Sequence, residues 1–324
     1  MPVIRTENLS KSYAPGLGKA KVDALSDLSM SVEEREIFGF LGPNGAGKTT
    51  TMKILMGLIY PTGGRAWIFD RPVGDIDAKR RLGFLPEHPY FYDQLTAEEI
   101  LDYFGRLFGI DAATRTKRSR ALLERVGIAH AAKQVLRSYS KGMLQRIGIA
   151  QALINDPELV ILDEPMSGLD PVGRKEVRDL ILSLKAERRT VFFSTHILAD
   201  VEVVCDRVAI LAKGKVATLS PLKDLLEIAG ADVEIVATGV SADARARIAA
   251  IEGAKVSDLG DRVMVRVPEA GAARVLDECR AAGARVLALS PARRSLEDLF
   301  MKVAGATALP SPGFPPLVAG SRFV

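Results

Sequence analysis

Gly42-Pro43-Asn44-Gly45-Ala46-Gly47-Lys48-Thr49, followed by Thr50, is the stretch on which the fold of this chain turns. Glycines at 42, 45 and 47 let the backbone turn tightly and aim successive N–H groups inward, a cradle for phosphate oxygens. Pro43, Asn44 and Ala46 complete the loop. Lys48 is placed to reach the β and γ phosphates of a nucleoside triphosphate, and the Thr49 hydroxyl can ligate Mg²⁺. The flanks supply the context such a loop needs. Ahead of it, Glu36-Ile37-Phe38-Gly39-Phe40-Leu41 reads as a buried strand. Behind it, Met52, Leu55, Met56 and Ile59 fall on one face of a helix expected to run until Pro61-Thr62-Gly63-Gly64. A helix N-terminus then points at the anion and adds its partial positive charge. The plain alternative, a glycine-rich turn with no ligand, does not account for the strand before it and the helix after it.

The chain has 324 residues, room for about two domains, and its 48% hydrophobic and 26% charged residues describe a globular protein with a sizeable core. The net charge of +4 is interspersed, which reads as a solvated surface. Cys205 and Cys279 have neither metal nor redox spacing; as reduced structural thiols they point to the cytoplasm. Met1-Pro2-Val3-Ile4-Arg5 does not lead from a basic segment into an apolar core, so no signal peptide is expected. No run of about eighteen apolar residues occurs, so any work at a membrane is expected to go through partners.

Residues 1–219 alternate strands with amphipathic helices, as an α/β fold requires. Leu159 to Leu162, Thr190 to Ser194 and Arg207 to Leu211 read as buried parallel strands. Between the first two lies a helix with Asp170 as N-cap, Pro171 in its first turn, and Val177, Leu180, Ile181 and Leu184 on one face. Lys213-Gly214-Lys215 looks like a hairpin turn. Residues 93–155 read as mostly helical, opening on a Thr96…Glu99 capping box followed by an Ile100, Tyr103, Phe104, Leu107 stripe. A second unit is expected over 220–304, starting with a helix at Ser220-Pro221 and then forming a small α+β, ferredoxin-like module. Residues 305–324, rich in proline, are expected to be a mobile tail.

Three further places carry chemistry. The strand Leu159 to Leu162 ends in Asp163-Glu164, an acidic pair where parallel sheets bind ligands. Asp163 suits Mg²⁺, and Glu164 suits activation of a water. Ser140 and Gly142 open a helix bearing Met143, Ile147, Ala150 and Ile154, which makes either a second anion site or a plain N-cap. His196 stands just past the strand ending at Ser194, where it can touch a γ phosphate or serve a structural role.

This order of elements resembles the ATP-binding subunit of ATP-binding cassette (ABC) transporters over residues 1–219. The resemblance rests on Leu9-Ser10-Lys11-Ser12-Tyr13, the phosphate loop, Tyr139 to Met143, Asp163-Glu164, Ser167-Gly168-Leu169-Asp170 and His196. It implies a phosphate-loop core with a β subdomain and a helical subdomain near 93–155. It also implies ATP with Mg²⁺ on Thr49, Glu87 and Asp163; adenine against Tyr13; Lys48, Glu164 and His196 at the reacting phosphate; and Asp170 linking two sites. In the family, two subunits dock head to tail, so Ser140 and Gly142 would serve the nucleotide of a second copy, and the pair would drive a transmembrane permease from the cytoplasmic face of the membrane. Ser295-Leu296-Glu297-Asp298-Leu299-Phe300 looks like the C-terminal extension of export-type subunits. No nucleic acid partner is implied. Lys141 and Met143 depart from the usual L-S-G-G-Q, Glu87 replaces a usual Gln, and Arg35 a usual Gly. Glu87-His88-Pro89-Tyr90-Phe91-Tyr92 suits either a permease-facing groove or local packing. The rivals are a soluble ABC ATPase acting on ribosomes or DNA and, more distantly, another phosphate-loop enzyme such as a nucleotide kinase.

Overall fold

The computed structural model describes residues 1–14, 21–227 and 232–291, with Leu296 and Phe300. The tail expected over 305–324 lies outside the described residues, as do Ser295 and Glu297-Asp298-Leu299. In chain order the first elements are β1 (Pro2–Tyr13), β2 (Val22–Glu33), β3 (Ile37–Leu41), α1 (Lys48–Leu55), β4 (Gly63–Ile68), β5 (Arg71–Pro72), α2 (Ile76–Arg80) and β6 (Leu82–Leu85). Three helices follow, α3 (Ala97–Leu107), α4 (Ala112–Arg125) and α5 (Lys141–Leu153). Next come β7 (Leu159–Asp163), α6 (Pro171–Ala186), β8 (Thr190–Thr195), α7 (Leu198–Val204), β9 (Arg207–Ala212), β10 (Lys215–Pro221) and α8 (Leu222–Glu227). The last are β11 (Asp232–Thr238), α9 (Ala242–Ala249), β12 (Lys255–Leu259), β13 (Arg262–Pro268), α10 (Glu269–Ala281) and β14 (Arg285–Pro291).

The central sheet runs β10-β9-β3-β8-β7-β6, parallel except for the edge strand β10. β3, β7 and β8 are buried along their whole length, which is why they read as continuous apolar runs. Phe38, Phe40 and Phe192 point to one face, where Phe192 stacks on Phe38 with ring centroids 5.7 Å apart and meets Phe40 at a tilt, 5.2 Å apart. They pack against α1 and the antiparallel sheet β2-β1-β4-β5. Ile37, Leu41 and Phe193 point to the other face, under residues of α5, α6 and α7. Burying each such side chain favours folding by roughly 2–3 kcal/mol. Because the strands are parallel, the ends of β3, β7 and β8 reach one edge of the sheet, with Leu41 beside Thr195 and Asp163 beside Ser194.

Three expectations change. α1 stops at Leu55, well short of Pro61, because Gly57 takes a left-handed conformation (φ 64°) and its N–H closes on the Ile54 carbonyl. Ile59 still packs on the core that holds Met52 and Leu55. α3 opens on the expected capping box, but its buried face is Ala97, Ile100, Leu101 and Gly105; Tyr103 and Leu107 look outward. The small residues are what let the neighbouring helices approach: a Cβ at Gly105 would lie 2.8 Å from the Arg115 side chain. Finally, the helix expected at Ser220-Pro221 does follow, as α8 from Leu222, but Ser220-Pro221 themselves close β10, and α8 buries Leu222 and Leu225 in the central core. The chain therefore stays packed on the first unit through residues 222–226.

The last sheet, β12-β13-β11-β14, is antiparallel and has the β-α-β-β-α-β order of a ferredoxin-like module. Its own core sets Ile235, Ala237, Val263, Val265 and Val267 against Ala244, Ile248, Val275 and Cys279 of α9 and α10. Beyond β14 the chain returns to the central core, where Leu296 is fully buried and its N–H donates to Glu202 Oε1 at 3.1 Å.

Candidate nucleotide site

Gly47 caps α1 with φ 108° and no side chain on the helix N-terminus. A Cβ there would come within 2.6 Å of the Ala24 carbonyl, so both conformation and space demand glycine. The turn between β9 and β10, Lys213-Gly214, has φ of 48° and 76° as its hairpin reading expects, and the Gly214 N–H donates to the Ala46 carbonyl, bracing the loop from behind. The loop opens on a cleft of about 370 Å³ lined by Ala24, Asn44, Gly45, Gly47, Lys48, Thr49, Thr50, Glu87 and Glu164.

Lys48 is buried; its ammonium donates to the Gly42 carbonyl at 2.8 Å and lies 3.5 Å from Glu164 Oε1. Glu164 takes a left-handed conformation, φ 51°, unusual outside glycine. Its N–H donates to Ser194 Oγ at 3.0 Å, and Ser194 Oγ donates to Asp163 Oδ1 at 2.5 Å, so one hydroxyl fixes both acidic residues. Its other carboxylate oxygen meets His196 Nδ1 at 2.9 Å. Burial pushes the Asp163 carboxyl up, against the lowering pull of hydrogen bonds from Ser194 and Thr49; nearby Glu87 adds to the rise. Among the described residues no cluster of three or more His, Cys, Asp or Glu side chains could hold a metal alone. A Thr hydroxyl, one buried carboxylate and a second at the rim are the donor set Mg²⁺ takes when phosphates and water supply the rest. The residues fit the ion.

Ser140, Gly142 and Asp170 lie elsewhere, in a separate cleft of about 510 Å³ that shares no lining residue with the first. Ser140 caps α5 by accepting from the Met143 N–H at 3.3 Å, and Asp170 caps α6 by accepting from the Gly173 N–H at 2.9 Å. Lys141 lies over Gly168, where a Cβ would overlap its ammonium. Tyr13 is in neither cleft: it ends β1, with the Lys11 ammonium 5.2 Å from its ring centre.

Ser194, Ala24 and Gln145 were not picked out from sequence. Ser194 faces Asp163 in strand register, which two apolar runs alone do not reveal. Gln145 is buried and donates to the Pro165 carbonyl at 3.0 Å, tying α5 to the segment after the acidic pair. Arg35, where a glycine is usual, stands at φ 66° with its N–H on Thr190 Oγ1, so a conformational demand explains the usual residue.

The ABC transporter family profile matches residues 25–167. Over 305 residues the chain is 48% identical to an uncharacterised ABC transporter ATP-binding protein of Synechocystis, an alignment covering 93% of this chain and 84% of that one. This chain belongs to the ATP-binding subunits of ABC transporters. A fluoroquinolones export ATP-binding protein of Mycobacterium tuberculosis is 41% identical over 69% of this chain and 72% of its own. Among solved structures, a dimeric ATP-binding cassette in a post-hydrolysis state, bound to ADP and Pi, aligns with a TM-score of 0.62 at 25% identity, covering 68% of this chain and 98% of that one. As an ABC subunit the chain is an ATPase with a phosphate-loop core, and neither the ribosome-type nor the kinase reading is favoured. No described helix is long and apolar enough to cross a membrane.

Proposed function

We propose that two copies of this chain close head to tail around ATP, each lending its Ser140 cleft to the Lys48 cleft of the other, and that hydrolysis reopens them to drive a separate membrane permease, in the direction of export. The observation that carries the reading is the separation of the two clefts: Lys48 and Glu164 line one, with His196 and, through Ser194, Asp163 tied to Glu164 by hydrogen bonds, while Ser140, Gly142 and Asp170 line another. Backbone N–H groups of residues 42–50 and the Lys48 ammonium bind the β and γ phosphates. Thr49 and Asp163, with Glu87 at the rim, would hold Mg²⁺, which supplies charge neutralisation at the phosphates. Glu164 orients the attacking water and takes its proton, and His196, already hydrogen-bonded to it, holds that carboxylate and steadies the γ phosphate. Tyr13 stacks on adenine. Phosphoryl transfer needs positioning and charge more than covalent catalysis, which suits this inventory.

The permease partner docks in a groove of about 910 Å³ between α2, β6 and α3, where Leu58, Pro89, Tyr90, Phe91 and Phe108 gather and Tyr90 is almost wholly exposed. On this reading the chain works at the inner face of the membrane, and no nucleic acid partner is proposed. The test is a mixture of Ser140→Ala and Lys48→Ala chains, each of which is impaired at both sites when paired only with itself. A head-to-tail pair of the two holds one site with both residues and one with neither. The mixture is expected to recover roughly a quarter of the wild-type rate, since half of the pairs are mixed; no recovery means each chain hydrolyses by itself.

A further inference from the structure

Asp200, on α7 four residues past His196, is a carboxylate buried to 3% exposure, and the ATP site described above makes no use of it. One oxygen, Oδ1, lies 3.7 Å from a guanidinium nitrogen of Arg178; the other, Oδ2, is buried and accepts no hydrogen bond from any described residue. Placing a charge so deep with so little support is costly unless the surroundings use it. Arg178 belongs to α6, and Arg174, one turn earlier on the same face, donates its Nε–H to the Leu169 carbonyl at 3.1 Å. Leu169 sits in the Ser167–Asp170 loop, next to the residue that caps α6. Burial raises the Asp200 carboxyl, while the charges of Arg178, then Arg174 and His196, pull it down, so all three lie within electrostatic reach. α7 itself has no side-chain cap at its start, and Asp200 is the acidic group of its first turn. Near its His196 end, α7 thus meets α6 electrostatically through Asp200 and Arg178, beside the hydrogen bond of His196 itself to Glu164.

We infer that Asp200 is a positioning residue: through Arg178 it ties the loop Ser167–Asp170 to the segment carrying His196, so that docking of a second chain on that loop sets the His196–Glu164 contact. This rests on the roles proposed above for His196 and Glu164. A displacement of the loop moves Leu169, then α6 through Arg174, then α7 through Arg178 and Asp200. Such a rigid relay needs only small shifts, because packed helices move as units.

Steady-state ATP hydrolysis and nucleotide binding of the full-length protein test it. Asp200→Asn, which keeps the volume, is expected to lower kcat roughly tenfold with the affinity for ATP unchanged. Arg178→Gln should give the same fall, and the double variant should fall no further than either. Arg178→Lys, which keeps the charge, should restore most of kcat and carries the test should Asp200→Asn not fold. A wild-type kcat in Asp200→Asn, no recovery with Arg178→Lys, or losses that multiply in full, as two separate packing defects would, overturns the inference. His196→Ala distinguishes the two levels. If it turns over at the wild-type rate, the underlying reading fails and this one with it; if it collapses while Asp200→Asn does not, only Asp200 loses its role.

Discussion

At the Lys48 cleft the charges are sunk into the fold: Lys48 and Glu164 are both buried, Asp163 more so, and Ser194 and His196 hold the carboxylates in place. At the Ser140 cleft they are not: Ser140, Lys141, Asp170 and Glu176 are all exposed, and the hydroxyl and carboxylate are occupied capping their own helices. The first arrangement can bind and react, because buried groups act in a low dielectric and need no reorganisation. The second can only complete something brought to it. A helix N-terminus presenting a hydroxyl and free N–H groups at the surface is a contact for another molecule's anion. The difference between the clefts is what makes a two-chain site the economical reading of one chain.

Perturbing each side in turn sharpens the contrast. Glu164→Gln should do most, cutting turnover by about 10²- to 10⁴-fold while leaving ATP binding intact, because it removes the base and keeps the shape; hydrolysis assays beside nucleotide binding read both. Ser140→Ala should cost about ten- to a hundredfold in rate, the range for a hydrogen bond to a charged group. It should also weaken α5 by about 1 kcal/mol, visible as a lower urea midpoint. Equal effects of Ser140→Ala on ATP affinity in dilute protein would erase the distinction between the clefts. Tyr13→Ala should raise KM for ATP by about threefold to tenfold with kcat held, as loss of a stacking contact does. Least of all, Lys141→Gly should change the rate by no more than about threefold, since its side chain rests on Gly168 rather than in the place of the hydroxyl or the N–H groups.

What was legible in the sequence follows the same division. The phosphate loop could be read because Gly47 is forced twice over, by its φ and by the Ala24 carbonyl, so the spacing carries the geometry. Ser140, Asp170 and Thr96 could be read as caps because capping is a local matter of three or four residues. The outward turn of Tyr103 and Leu107 could not, since a hydrophobicity stripe ranks them above Ala97 and Gly105, whereas close helix packing takes the small residues. Nor could the tie from Ser194 to Asp163 and Glu164, which depends on the register of two strands and a left-handed glutamate. The helix start after β10 could be read from Ser220-Pro221, but its packing could not, since only the burial of Leu222 and Leu225 shows that α8 rests on the central core.

The central claim is that ATP is held between two chains. Sedimentation equilibrium of the Glu164→Gln protein at saturating ATP tests it most directly, because hydrolysis no longer releases the pair. A mass of two chains that falls to one when ATP is removed is the predicted result. A single-chain mass at every protein concentration, with ATP bound, would contradict it.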